Sequence, residues 1–253
     1  MPIVTAIKII FLLGFLILIH ETGHFIVAKL CKIKVNEFAI GFGPKIWSKE
    51  KGETTYEIRL IPLGGFVRLE GEEELTYEEG SFNKASIPKR IAVISAGALV
   101  NILFGIFVYA IIIAIKYMGT VNSNFLDAFI YGIKASGELM IEMAKGLASL
   151  FTGQFSLDNM TGPVGISSLV AKTNGIAEFM YLLSIISISL GVTNLLPFVP
   201  LDGGKNVLLI LEAIRGKPLK PEIEIKLQTI GFFILILFSI IVTFHDIGRL
   251  GGG

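Results

Sequence analysis

Four long apolar runs, at residues 3–30, 91–117, 176–196 and 223–244, divide the chain. Each is about as long as the roughly 20 residues that cross a bilayer as a helix. They predict an all-α polytopic membrane protein with about four transmembrane helices. Residues 31–89 read differently. Around Tyr56 to Leu60 apolar and polar positions alternate, with Gly41-Phe42-Gly43-Pro44 before them and Pro62-Leu63-Gly64-Gly65-Phe66-Val67-Arg68 after. This period of two with Gly and Pro punctuation predicts short strands and turns, a membrane-associated β-hairpin or small sheet in the first loop. The acidic run from Glu70 to Glu79 reads as a solvated loop. Between Phe125 and Phe151, Asp127, Lys134, Glu138, Glu142 and Lys145 are spaced seven, four, four and three apart. That spacing puts them on one helix stripe, so residues 125–151 are expected to form an amphipathic helix at the external membrane surface.

Composition agrees. Of 253 residues 53% are hydrophobic and 17% charged, and the mean hydropathy is +0.73, far above a soluble domain. The net charge of +1 offers nothing to a nucleic-acid partner. The single cysteine, Cys31, excludes an internal disulfide and a multi-cysteine metal site, and is expected to be a buried, inert thiol. The first run lacks the charged leader and small-residue cleavage site of a signal peptide. Lys29, Lys32, Lys34, Lys84, Lys89 and Arg90 flank the first loop, and Arg215, Lys217, Lys220 and Lys226 the third. By the positive-inside rule both termini face outward and the cytoplasmic side receives the end of the first span. The whole is expected to be one membrane-embedded domain, 1–253.

Near that end lies His20-Glu21-Thr22-Gly23-His24, which holds two of the three histidines in the chain. Ionisable groups at such depth are costly unless they work. The i, i+4 spacing stacks two imidazoles on one helix face, where a metal ion can bridge them. Zinc sites that catalyse usually have three protein ligands. A third is offered by Asn194-Leu195-Leu196-Pro197-Phe198-Val199-Pro200-Leu201-Asp202-Gly203-Gly204, at the end of the third run. Its prolines break the helix and its glycines free the backbone to present Asp202 sideways. Taken alone, the string equally describes a helix end with Asp202 capping the next helix.

His20-Glu21-x-x-His24 together with Asn194-x-x-Pro197-x-x-Pro200-Leu201-Asp202-Gly203 resembles the site-2 protease family of intramembrane zinc metalloproteases. The closest likeness is to the bacterial branch that cleaves anti-sigma factors and signal-peptide remnants. Gly41-Phe42-Gly43-Pro44, Pro62 to Val67, Ser81-Phe82-Asn83, residues 90–101 and Gly162-Pro163-Val164-Gly165 resemble that branch in the same order. The resemblance implies Zn2+ held by His20, His24 and Asp202, with Glu21 as general base. It implies substrate contacts at Asn194, Pro197, Gly64, Gly65 and Phe66, and a membrane-reentrant hairpin within 35–69. The implied partners are the lipid bilayer and single-span membrane proteins or signal-peptide remnants. Two departures stand out. Met118 passes to Phe125 with no room for the PDZ domain usual in the family, and Ala98 replaces a frequent proline, which straightens the second span.

The chemistry follows from the residue types as well: zinc activates water and the scissile carbonyl, and Glu21 shuttles the proton. A helical substrate hides its peptide bonds and must unwind locally, so an edge of the hairpin is expected to pair with it. A metal transporter or a non-catalytic zinc-binding membrane protein is the alternative reading. Beyond the one cluster, however, the runs offer little polar relay except Asn101 and His245, and a structural zinc site does not require Glu21.

Overall fold

The structure, a computed structural model, describes residues 2–72, 76, 78–118, 124–152 and 156–251. Glu73, Glu74, Leu75 and Tyr77 of the acidic run, and residues 119–123 of the short connection after Met118, lie outside the described residues. The elements in order are α1 (Pro2–Leu30), β1 (Val35–Lys51), β2 (Thr54–Leu69), α2 (Ile87–Met118), α3 (Phe125–Thr152), α4 (Pro163–Ala171), α5 (Ile176–Asn194), α6 (Asp202–Arg215) and α7 (Pro221–Gly251). Helices α1, α2, α5 and α7 are long and apolar enough to cross a membrane. Bulky side chains such as Phe11 on α1, Leu103 and Phe107 on α2, and Phe233 and Phe244 on α7 are exposed. Where lipid is the solvent, such outward-facing apolar groups carry no penalty. The α2 helix runs unbroken through Ala98, which is fully buried.

The chain divides into two compact units. One comprises residues 6–101 and 194–224. In it α1 and α2 meet through small residues: a Cβ on Gly23 would lie 2.6 Å from the Ala96 carbonyl oxygen, so only glycine permits this approach. Below the crossing, Ala28, Ile33, Val35, Leu69, Phe82, Val93, Ile94 and Leu209 form a buried cluster, with the partly buried Cys31 packed against it. Cys31 is thus partly rather than fully buried. In the sheet, residues 35–40 oppose both halves of β2: Ala39 faces Phe66 and Glu57, and Ile40 faces Gly65 and Ile58. The far half of β1 pairs with the start of β2 alone, Ser48 opposite Glu57 and Lys51 opposite Thr54. The small sheet expected in the first loop is thus present.

The acidic run is not simply solvated. Glu70 accepts hydrogen bonds from Asn36 Nδ2 at 2.7 Å and Thr76 Oγ1 at 3.0 Å, and its own carbonyl accepts from Phe82 N at 2.7 Å. The run therefore begins as a folded return toward α2, an arrangement that composition alone could not distinguish from a loose acidic loop.

The other unit comprises residues 102–193, 225–251 and the first turn of α1. Here α3 covers the segment expected to be an amphipathic helix. Its charged stripe is exposed, but so are Phe125, Leu126, Ile130, Tyr131, Ile133 and Ile141. The buried stripe is Ala128, Gly132 and Ser136. A Cβ on Gly132 would lie 2.7 Å from Ala110 Cα, so α3 packs on α2 through its small residues and leaves its bulky ones outside. In α7 the buried Asp246 accepts from Gly165 N at 2.7 Å, satisfying a free amide at the start of α4.

Candidate metal centre

The α1 helix carries His20, Glu21 and His24 on one turn, and the structure brings Asp202 to the two imidazoles. His20 Nε2 and His24 Nε2 are 3.1 Å apart. Asp202 Oδ2 lies 3.1 Å from the first and 3.6 Å from the second. Asp202 is the first residue of α6, and Leu201 holds the N-cap position. The alternative of Asp202 as a capping residue is therefore not what the fold uses.

The glycines after Asp202 do a different job from the one their composition suggests. Neither Gly203 nor Gly204 has positive φ. A Cβ on Gly203 would run into the Leu195 and Leu196 carbonyls, and one on Gly204 into the Phe198–Val199 backbone. They allow the turn after α5 to fold back against the first turn of α6, which brings Asp202 to the histidines.

The second helix supplies the backing. His24 Nδ1 is 2.8 Å from the Val93 carbonyl oxygen. A carbonyl can only accept, so Nδ1 carries the proton and Nε2 keeps its lone pair for the site. Gly97 faces both rings: a Cβ there would fall against His24 Nε2 and 2.8 Å from His20 Nε2. Its missing side chain leaves a cradle against the two imidazole nitrogens. Asp202 Oδ2 is buried and receives no hydrogen bond of good geometry. Two imidazole nitrogens and an anionic oxygen converging on an open cradle fit a zinc ion by donor set.

A cavity of about 220 Å³ opens onto this cluster, lined among others by Glu21, Phe66, Val67, Glu72 and Lys205. Val67 and Glu21 share the wall of this cavity. Of the residues implied as substrate contacts, Phe66 lines the cavity, flanked by the guanidinium groups of Arg59 and Arg68 at 4.8 and 5.5 Å. Gly65 stands beside Glu21: a Cβ there would lie 3.5 Å from Glu21 Cγ. Gly64 instead packs against the Phe42 ring. Asn194 and Pro197 are not among the cavity's lining residues; Asn194 is half-buried and Pro197 exposed.

Several site residues escaped the sequence reading. Lys205 Nζ donates to Glu72 Oε1 at 3.0 Å, and Glu72 holds the lysine's pKa above its ordinary value. Asn206 Nδ2 donates to Ser95 Oγ at 2.9 Å. The only signal for Lys205 and Asn206 was their place one turn after Asp202. Glu72 was hidden inside an acidic run.

A sequence profile of peptidase family M50 matches residues 8–238. The chain belongs to peptidase family M50. It is a multi-pass membrane zinc metalloprotease of that family. The chain is similar to a relative from Clostridium acetobutylicum, 28% identical over 92% of this chain and 94% of the relative. It is similar to the zinc metalloprotease RasP of Bacillus licheniformis, 26% identical over 97% of this chain and 99% of that one. It is also similar to the regulator of sigma-W protease RasP of Bacillus subtilis, 25% identical over 97% and 99%. These last two alignments run over 419 and 417 residues, so both relatives carry segments that this 253-residue chain lacks.

Proposed function

We propose that this peptidase cleaves single-span membrane proteins or signal-peptide remnants within the bilayer, with His20, His24 and Asp202 as zinc ligands and Glu21 as general base. The observation that carries the reading is the convergence of the three ligand atoms beside Glu21 on a cradle left open by Gly97. When bound, zinc supplies Lewis acidity that activates water and the scissile carbonyl. The remaining steps belong to the chain's own residues. Glu21 takes the proton of the attacking water on its carboxylate and returns it to the leaving amine. Glu21 lines the cavity, beside Gly65. Val93 holds His24 in the ligating tautomer.

The substrate must arrive unwound, with backbone groups in need of partners. The segment 65–69 borders the cavity and, among the described residues, pairs along one side with residues 35–40. Strand addition to its other side supplies the lost hydrogen bonds. The name of the Bacillus subtilis relative, a regulator of sigma-W protease, supports a role for such cleavage in sigma-factor control. The distribution of Lys and Arg supports external termini and a site near the cytoplasmic surface.

The test is cleavage of a single-span substrate in membranes by wild type and Glu21→Gln, with bound zinc measured in both. Cleavage lost with zinc kept is the expected result. Cleavage at the wild-type rate by Glu21→Gln would overturn the assignment of the base, and absence of zinc from wild type would overturn the site.

A further inference from the structure

The stripe of α2 that faces the site repeats every four residues: Val93, Gly97, Asn101. It runs alongside His24 and His20 in register. Val93 meets His24 Nδ1 at 2.8 Å, Gly97 leaves space between the rings, and Asn101 Nδ2 lies 3.4 Å from His20 Nδ1. Asn101 is 0% exposed on a helix long enough to span a bilayer. A buried amide at that depth is costly and calls for a role.

A side-chain amide presents a donor on one arm and an acceptor on the other, and a half-turn exchanges them with little change in shape. The two orientations have opposite consequences for His20. With Nδ2 toward the ring, Nδ1 accepts, the ring proton sits on Nε2, and the atom that faces Asp202 has no lone pair to give. With Oδ1 toward the ring, Nδ1–H donates and Nε2 is free to ligate. Val93 already fixes His24 in the second sense through a carbonyl.

Resting on the assignment of His20, His24 and Asp202 as ligands, we propose that Asn101 is the positioning residue of His20. It presents Oδ1 to Nδ1–H and so fixes the ligating tautomer and the ring's orientation when zinc binds. The two histidines of the motif thus have one partner each from the same helix, a backbone carbonyl for His24 and a side-chain amide for His20.

The test compares full-length wild type, Asn101→Leu and Asn101→Asp, purified in detergent, by two readouts other than proteolysis. The first is the zinc dissociation constant from competition with a chelator. The second is the imidazole ¹⁵N spectrum of histidine-labelled protein in its metal-free form, where zinc does not itself dictate the tautomer; the chain holds only three histidines, and His245, paired with Asp158 at 3.2 Å, serves as internal reference. Leucine keeps the volume and removes both arms, whereas aspartate keeps only acceptors. Asn101→Leu is expected to weaken zinc binding about 10- to 100-fold, the usual effect of losing such a partner, and to move His20 away from the Nδ1–H form while His24 stays in it. Asn101→Asp is expected to bind zinc at least as tightly as wild type.

Wild-type affinity and an unchanged His20 tautomer in Asn101→Leu would overturn the inference while leaving the metal centre standing. If the leucine variant fails to fold, the aspartate variant decides: retained zinc with Nδ1–H on His20 supports the role, and loss of zinc overturns it. A wild type that holds no zinc would overturn the metal centre and this inference together.

Discussion

Arg90 Nη1 and Nη2 donate to Glu212 Oε1 and Oε2 at 2.7 and 3.0 Å, tying the first turn of α2 to the later part of α6. The two side chains are 9% and 16% exposed, and the guanidinium also lies over Phe82 at 5.1 Å. With Asn206 bound to Ser95 nearer the site, this fork holds the helix that carries Asp202 against the helix that backs the histidines. Removing one partner of a nearly buried pair leaves the other charge stranded, at a cost of about 3–5 kcal/mol. Arg90→Leu is therefore expected to destabilise the protein by that order, and Arg90→Leu with Glu212→Leu by much less. Unfolding midpoints in detergent for the two single variants and the double would decide it. Additive losses in the double variant would show that the fork is not the source.

Gly97→Ala is expected to abolish zinc binding without unfolding α2. The added methyl would enter the cradle between the two imidazoles. Gly137→Ala is the matched control, because nothing lies within 4 Å of a Cβ there. Metal analysis beside far-ultraviolet circular dichroism is the measurement. A Gly97→Ala protein with full zinc content would mean that the ion sits elsewhere.

Strand addition to segment 65–69 makes a prediction about the substrate rather than the enzyme. In an added strand, every second amide of the substrate points at its neighbour. Peptide inhibitors N-methylated at single positions should lose affinity in an alternating pattern, by about tenfold where a hydrogen bond of about 1 kcal/mol or somewhat more is removed. A flat or random profile of inhibition constants along the peptide would rule out strand pairing.

The hydrogen bonds from Asn36 and Thr76 hold the Glu70 carboxyl below the usual carboxylate range. A depressed pKa in the folded state means stability that is present above the unfolded value, about 4.3, and lost as pH falls through the folded one. Asn36→Leu is expected to lower protection of the Phe82 amide, which donates to the Glu70 carbonyl, at neutral pH. Its difference from wild type should shrink as pH falls below about 4. Hydrogen exchange across that range, corrected for intrinsic rates, is the check. A difference that grows toward acid pH would reverse the sign and refute the linkage.

The sequence by itself determined the parts of this protein whose information is local. Four spans were legible because a bilayer demands about 20 successive apolar residues and nothing else. His20, Glu21 and His24 were legible because their spacing is that of a single helical turn, and the strands of the first loop because alternation and Gly/Pro punctuation are short-range. Asp202 could be suspected beside the two histidines, but its position within helix or cap required the structure. What only the tertiary structure decided is which residues stand behind the ligands. Val93, Gly97 and Asn101 sit in an apolar run about 70 to 80 residues from the histidines they serve, and Val93 acts through its backbone, which no side-chain pattern can report. Gly97, Gly203 and Gly204 look like flexibility in a sequence and turn out to be clearance, since their role depends on what the fold brings within a Cβ of them. The small stripe of α3 was masked for the same reason. In a membrane helix, hydropathy does not distinguish the face that meets lipid from the face that meets protein, so Ala128, Gly132 and Ser136 became the packed side only when a neighbouring helix was placed against them.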